Sequence, residues 1–172
     1  MTAAGRALAV LLVVISAACG GNPSGPDDEP VRLTYNTSVS SRLVYTGAGC
    51  THTYGLAGPI VIIVDDAEAD TISGTIQVSL NTSFQGATNT SSNPQNQCGE
   101  GPGVVGGWNA TFRGPQANLS GQITNSAPGS PSNVLSFSGA LSGRRITGTL
   151  RISVTGNGAS GSVDFPISLD PL

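Results

Sequence analysis

Three cysteines, one histidine and ten carboxylates are the side chains of this 172-residue chain best suited to covalent, metal or acid–base chemistry. A cysteine sulfur forms disulfides, ligates metals and accepts covalent groups. With Cys19 set aside, Cys50 and Cys98 form an even pair, which in an oxidising compartment reads as a disulfide. Closing that loop stabilises the fold by roughly 4 kcal/mol in the chain-entropy model. The rival use is a metal site from Cys50, His52 and Cys98, but the paired ligand spacings that mark zinc motifs are missing. Asp65, Asp66, Glu68 and Asp70 raise a weak alternative, a calcium site. They lack the central Gly and the terminal bidentate Glu of an EF-hand loop, so a hydrated hairpin loop is the plainer reading.

Catalytic constellations are sparse. Activation of a Ser nucleophile needs a base, and His52 is the only histidine, with no G-x-S-x-G elbow in the chain. A lone His near a Cys reads as a surface or packing residue. Glycoside hydrolysis needs only two carboxylates. The candidates are Asp65, Asp66, Glu68, Asp70, Glu100 and Asp164, and none adjoins an aromatic platform in a chain that is 5% aromatic. Gly101, Gly103 and Gly106 match G-x-G-x-x-G, but a polar loop precedes them and an alternating strand follows, where the dinucleotide fingerprint needs a strand and then a helix. The abundance of Gly, 24 residues, accounts for the match. No catalytic residue, metal or cofactor is assigned, and an enzyme is the weaker class.

Cys19 belongs to a different context. Arg6 precedes an apolar run, Ala7 to Ile15, followed by Ser16-Ala17-Ala18-Cys19. A charged start, a short apolar core and small residues before a cleavage point form a secretory signal. The run is about half the ~20 residues that cross a bilayer. With Ala17 and Ala18 directly before Cys19, the segment resembles the signal peptides of bacterial lipoprotein precursors. That resemblance implies lipidation of Cys19, removal of residues 1–18 and a place in the bacterial cell envelope. Gly20 in place of Asp implies the outer membrane. The resemblance covers the export signal alone.

Charge agrees with lipid as the only membrane contact. All seven basic residues are Arg, and without Arg6 the net charge falls from −3 to near −4. Such a chain has neither the basic footprint of a nucleic-acid binder nor a polybasic segment for anionic lipid. The partners expected are the membrane, through the lipid, and an envelope component or small apolar ligand.

The elements that must position these residues are strands. Residues 19–30, rich in Gly, Pro and Asp, read as a flexible linker. From 31 to 172 the apolar residues recur with period two, the mark of half-buried strands. Strands are expected at 31–39, 42–46, 51–56, 60–64, 71–80, 108–112, 117–124, 133–141, 145–155 and 160–169. The unbroken apolar run at 60–64 suggests a strand covered on both faces or in mid-sheet. Residues 81–103 read as a long polar loop, and Pro166 as the mark of an edge or bulge. Trp108 and Phe112 are expected in the core. Gly74 and Gly148 stand on inward faces, where a sheet bends or another backbone comes close.

The chain is therefore expected to be all-β and antiparallel, with about eight strands in a small up-and-down β-barrel; the alternative is a two-sheet β-sandwich. Its layout is similar to that of lipocalin-like envelope lipoproteins. The expected function is a non-catalytic binding or scaffolding domain. The alternatives are a lipocalin-like carrier of an apolar small molecule, with room over Gly74 and Gly148, and a carboxylate-based hydrolase.

Overall fold

The computed structural model describes residues 29–101, 103–126 and 128–172. The signal-type segment, Cys19 and the linker up to residue 28 lie outside the described residues. Alternating side chains fold into nine strands: β1 (Leu33–Gly47), β2 (Cys50–Val64), β3 (Ile72–Ser79), β4 (Asn81–Asn89), β5 (Gly107–Gly114), β6 (Leu119–Asn125), β7 (Ser132–Ser142), β8 (Arg145–Gly156) and β9 (Ala159–Leu169).

Neighbours pair in the order β1-β9-β8-β7-β6-β5-β3-β2, and β2 pairs back onto β1. All pairings are antiparallel, so eight strands close a barrel and β4 is an additional ninth. Closure rules out the two-sheet sandwich. The lumen is the hydrophobic core: Tyr35, Leu43, Ile60, Ile62, Ile72, Ile76, Leu119, Leu135, Ile146 and Leu150 have no accessible surface left, and Trp108 and Phe112 are buried with them.

Several strands are longer than their patterns suggest. The stretches expected at 31–39 and 42–46 form one strand, since Ser40 and Ser41 stay in the ladder opposite Ala57 and Leu56. β2 likewise runs through Pro59, which lacks an N–H. Pro59 falls where the second ladder of β2 is interrupted, between the partners of β3 and those of β4. The run at 60–64 sits in mid-sheet between β1 and β3, with Ile60, Ile62 and Val64 in the core and Val61 and Ile63 half-buried behind them.

The expected loop at 81–103 is half strand. Asn81–Asn89 continues the line of β3 against β2, so that Val78 faces Ile60 and Asn81 faces Ala57. A bulge follows, at Gln85 and Gly86. The polar composition hid this strand because it extends beyond β5 and has no deep core to face. Pro166 lies where β9 is paired with β8 alone: the β1–β9 ladder is confined to Tyr45–Gly161 and Thr46–Ser160.

The inward glycines serve close approach. A Cβ on Gly74 would overlap the Ile63 carbonyl oxygen and the Phe112 ring. Gly139 and Gly148 face each other across the ladder, and the Phe137 ring covers both. Phe112 and Phe137 pack edge to face, 5.5 Å between centroids. The room expected over Gly74 and Gly148 is therefore taken up by two phenyl rings.

Candidate functional site

The two barrel ends differ. At the end where the chain enters, Ala67 N donates to Val31 O at 2.8 Å, and Asp66 Oδ1 accepts from Val31 N and Glu68 N. Gln116 bridges outward, its Nε2 donating to Ala67 O while its carbonyl accepts from Leu141 N. Tyr35 Oη donates to Arg144 O at 2.8 Å, fixing the β7–β8 turn over this end.

The opposite end, the mouth, is framed by two tight hairpins. Ala48 and Gly49 (φ 52° and 73°) join β1 to β2; Asn157 and Gly158 (φ 50° and 75°) join β8 to β9. Two successive positive φ values are the type I′ turn that suits twisted hairpins, and Asn-Gly is its preferred pair. Residues 90–101 and 103–106 form a strap over this end. Thr90 N donates to Gly49 O, and the Cys50–Cys98 disulfide, with Cα atoms 5.8 Å apart, ties the strap to the start of β2. Beyond it, Glu100 O accepts from Tyr54 Oη at 2.6 Å. Further on, Val104 is buried, Val105 N donates to the buried Asn133 Oδ1 at 3.3 Å, and Gly106 O accepts from Leu80 N at 2.8 Å.

Beneath the strap stand Tyr45, His52 and Tyr54. Tyr45 and His52 are direct cross-strand partners, and their rings stack 4.9 Å apart at 22°. Tyr54 stacks on Tyr45 at 6.1 Å and meets Phe84 of β4 at 5.5 Å. Burial pushes the Tyr45 hydroxyl up to about 12, with the adjacent Tyr54 adding to the effect; burial raises Tyr54 as well. His52 is 5% exposed, and its Nδ1 is fully buried with no hydrogen-bond partner among the described residues. Gly101, with φ 67°, passes directly over the pair: a Cβ there would lie 2.7 Å from His52 Cε1 and 2.9 Å from Tyr45 Oη.

Between the strap and the hairpins lies an open cleft of about 380 Å³. Tyr45, His52 and the disulfide form its floor and one side, Asn96 and Gln97 the strap side, and Ser130, Pro131 and Asn157 the far rim.

The cysteine pair read from the sequence is thus a disulfide at this mouth, and the metal reading from Cys50, His52 and Cys98 gives way to it. The acidic candidates are scattered. Asp65 Oδ2 accepts from Ser73 Oγ, Asp66 holds the entry end, and Asp164 forms a bidentate pair with Arg151 on the outer wall at 2.6 and 2.8 Å. Glu100 alone belongs to the mouth. Among the described residues no three His, Cys, Asp or Glu side chains group closely enough to hold a metal ion.

Sequence reasoning missed one residue. His52 read as a surface or packing residue and is the second, buried on the inward face with Cys50, Tyr54 and Leu56 and stacked on Tyr45. Gly101 read as an accident of composition, whereas its position over His52 requires a residue without a side chain. No protein-family model matches the chain, and no curated protein or solved structure matches it either. The class is therefore set by the fold alone, a closed antiparallel barrel with one extra strand.

Proposed function

We propose that this protein is an envelope lipoprotein whose barrel is a non-catalytic binding or scaffolding module, working through the mouth. One observation carries the reading: the cleft of about 380 Å³ lies at the barrel end opposite the one where Val31 enters. A lipid on Cys19 and a linker over residues 19–30 hold the entry end towards an outer membrane and leave the mouth facing away from it. The volume falls within the roughly 300–1,000 Å³ of small-molecule sites. A covalently tied strap supports the reading too, since a fixed rim lowers the ordering cost of binding.

The carrier of an apolar small molecule is the second reading, favoured by barrel closure itself. It would use the mouth, because Phe112 and Phe137 occupy the space over the inward glycines. Native mass spectrometry of the protein purified from its own host tests both readings. The expected mass is that of a chain starting at acylated Cys19 with one disulfide, accompanied by a retained ligand or partner. A chain without lipid would overturn the envelope-anchored reading, and a retained alkyl or terpenoid compound would favour the carrier.

A further inference from the structure

The disulfide that ties the strap also borders the open cleft, to which both Cys50 and Cys98 contribute. Its two halves are not equivalent. Cys50 is 4% exposed at the start of β2, whereas Cys98 is half-buried on the strap. Beside Cys98 the space is open: nothing lies within 4 Å of where a Cβ on Gly99 would stand. Among the described residues no Asp or Glu lines the cleft to repel a thiolate. Asn96 Nδ2 stands 3.5 Å from Cys50 Sγ and 3.4 Å from both Ala48 O and Gly49 O.

The course of thiol–disulfide exchange depends on which sulfur a thiolate can reach and on how readily the other sulfur leaves. Access favours attack at Cys98. An amide donor beside Cys50 Sγ favours negative charge on the sulfur that must leave.

The same bond holds the strap over the aromatic stack. Residues 90–101 and 103–106 belong to no strand, so the ladders that close the barrel do not pass through them. Past Cys98 the strap crosses the stack, where Glu100 O accepts from Tyr54 Oη and Gly101 lies over His52 and Tyr45. Opening the disulfide frees this crossing from β2 and leaves it to the Tyr54 hydrogen bond and to the anchor between Val105 and Asn133.

We propose that the mouth is redox-gated: a small dithiol enters the cleft, exchanges at Cys98 and releases the strap, uncovering Tyr45, His52 and Tyr54. In the first step a thiolate of the dithiol bonds to Cys98 Sγ, the Cys50–Cys98 bond breaks, and Cys50 Sγ leaves with the electron pair as a thiolate. In the second step the other sulfur of the dithiol displaces Cys98 Sγ from the mixed disulfide. The dithiol becomes its own disulfide, Cys50 and Cys98 together gain two electrons, and the two protons of the dithiol pass to their sulfurs. The gate rests on the cleft and the strap and is independent of what the mouth binds.

The test uses the full chain purified from its host, under native conditions. Excess glutathione probes the first step, with an acid quench and peptic mapping at low pH. The mixed disulfide should form about tenfold faster at Cys98 than at Cys50. Dithiothreitol then completes the reduction, and a soluble paramagnetic chelate, which broadens the signals of exposed protons, reads the strap. The ring protons of His52, the only histidine, should be shielded before reduction and broadened after it. The amides of Ala67 and Leu141 should keep their protection from hydrogen exchange throughout. Replacing Cys50 and Cys98 together by Ser should broaden His52 without any reductant. Adducts that form first at Cys50, or equally at both, would overturn the assignment of Cys98 as the attacked sulfur. Reduction that proceeds only as Ala67 and Leu141 lose protection would mean that the bond opens by unfolding rather than through the cleft, and the proposal falls. A reduced protein whose His52 stays shielded would overturn the gate.

Discussion

At the entry end the barrel is sealed by hydrogen bonds between neighbours: Asp66, Gln116 and Arg144 accept from Val31, Glu68, Leu141 and Tyr35, while Ala67 donates to Val31 O and accepts from Gln116 Nε2. At the mouth a long strap does the covering, tied by one covalent bond and passing over a histidine whose Nδ1 is left unmatched. A closed barrel needs its ends covered, and among the described residues the buried side-chain polar atom without a partner lies at the mouth. A buried polar atom without a hydrogen bond costs about 1–3 kcal/mol. The contrast sets an end closed by hydrogen bonds between neighbouring loops against one closed by a disulfide-tied strap.

The strongest way to break this contrast is to cut the strap. Replacing Cys50 and Cys98 together by Ser should cost roughly 4 kcal/mol in chemical denaturation. Hydrogen exchange should quicken at Thr90 and around the β1–β2 hairpin while the amides of Ala67 and Leu141 keep their protection. Equal loss at both ends would mean that the strap holds the whole barrel.

High pH attacks the same end through its aromatic stack. Tyr45 is pushed up to about 12, burial first and Tyr54 next, and burial also raises Tyr54 and Tyr35. An unfolded tyrosine ionises near 10, roughly. The folded state therefore holds these protons more tightly; stability from this source is complete below the unfolded value and lost as pH rises towards the folded one. The chain has three tyrosines, Tyr35, Tyr45 and Tyr54. Phenolate absorbance should show none titrating at the ordinary value before the barrel opens. One ordinary titration would place a ring outside the core.

The entry end is sharpened by a smaller change. Asp66→Ala removes the acceptor for Val31 N and Glu68 N and should cost about 1–2 kcal/mol, whereas Asp66→Asn, which keeps an oxygen, should recover much of it. The mouth amides should not respond in either variant. Smallest is Ala48→Gly: alanine at φ 52° pays a left-handed penalty of about 1 kcal/mol, and glycine should raise the melting temperature by removing it.

Much of the barrel was legible because its strands alternate. Ile72, Ile76 and Val78, or Ile146, Leu150 and Ile152, declare an inward face without any knowledge of their neighbours. Asn81–Asn89 was not legible, since Phe84 is its one large apolar side chain against the core and only the ladder to β2 shows that it is a strand. The disulfide followed from cysteine arithmetic. Its task did not: nothing in the spacing of Cys50 and Cys98 says that the segment between β4 and β5 crosses a barrel mouth. His52 stood in plain sight on the inward face, but its significance depends on a glycine 49 positions away.

The sequence by itself determined the all-β class, the inward and outward face of most strands, the pairing of Cys50 with Cys98 and the small residues before Cys19 on which the lipidation proposal rests. These depend on local periodicity and on counting, which a linear chain records directly. Only the tertiary structure decided that β1 meets both β2 and β9 to close the ring, that Phe112 and Phe137 fill the space over the glycines, and that Gly101 lies over His52. Each is a contact between residues far apart in the chain, set by how twisted strands come together in space.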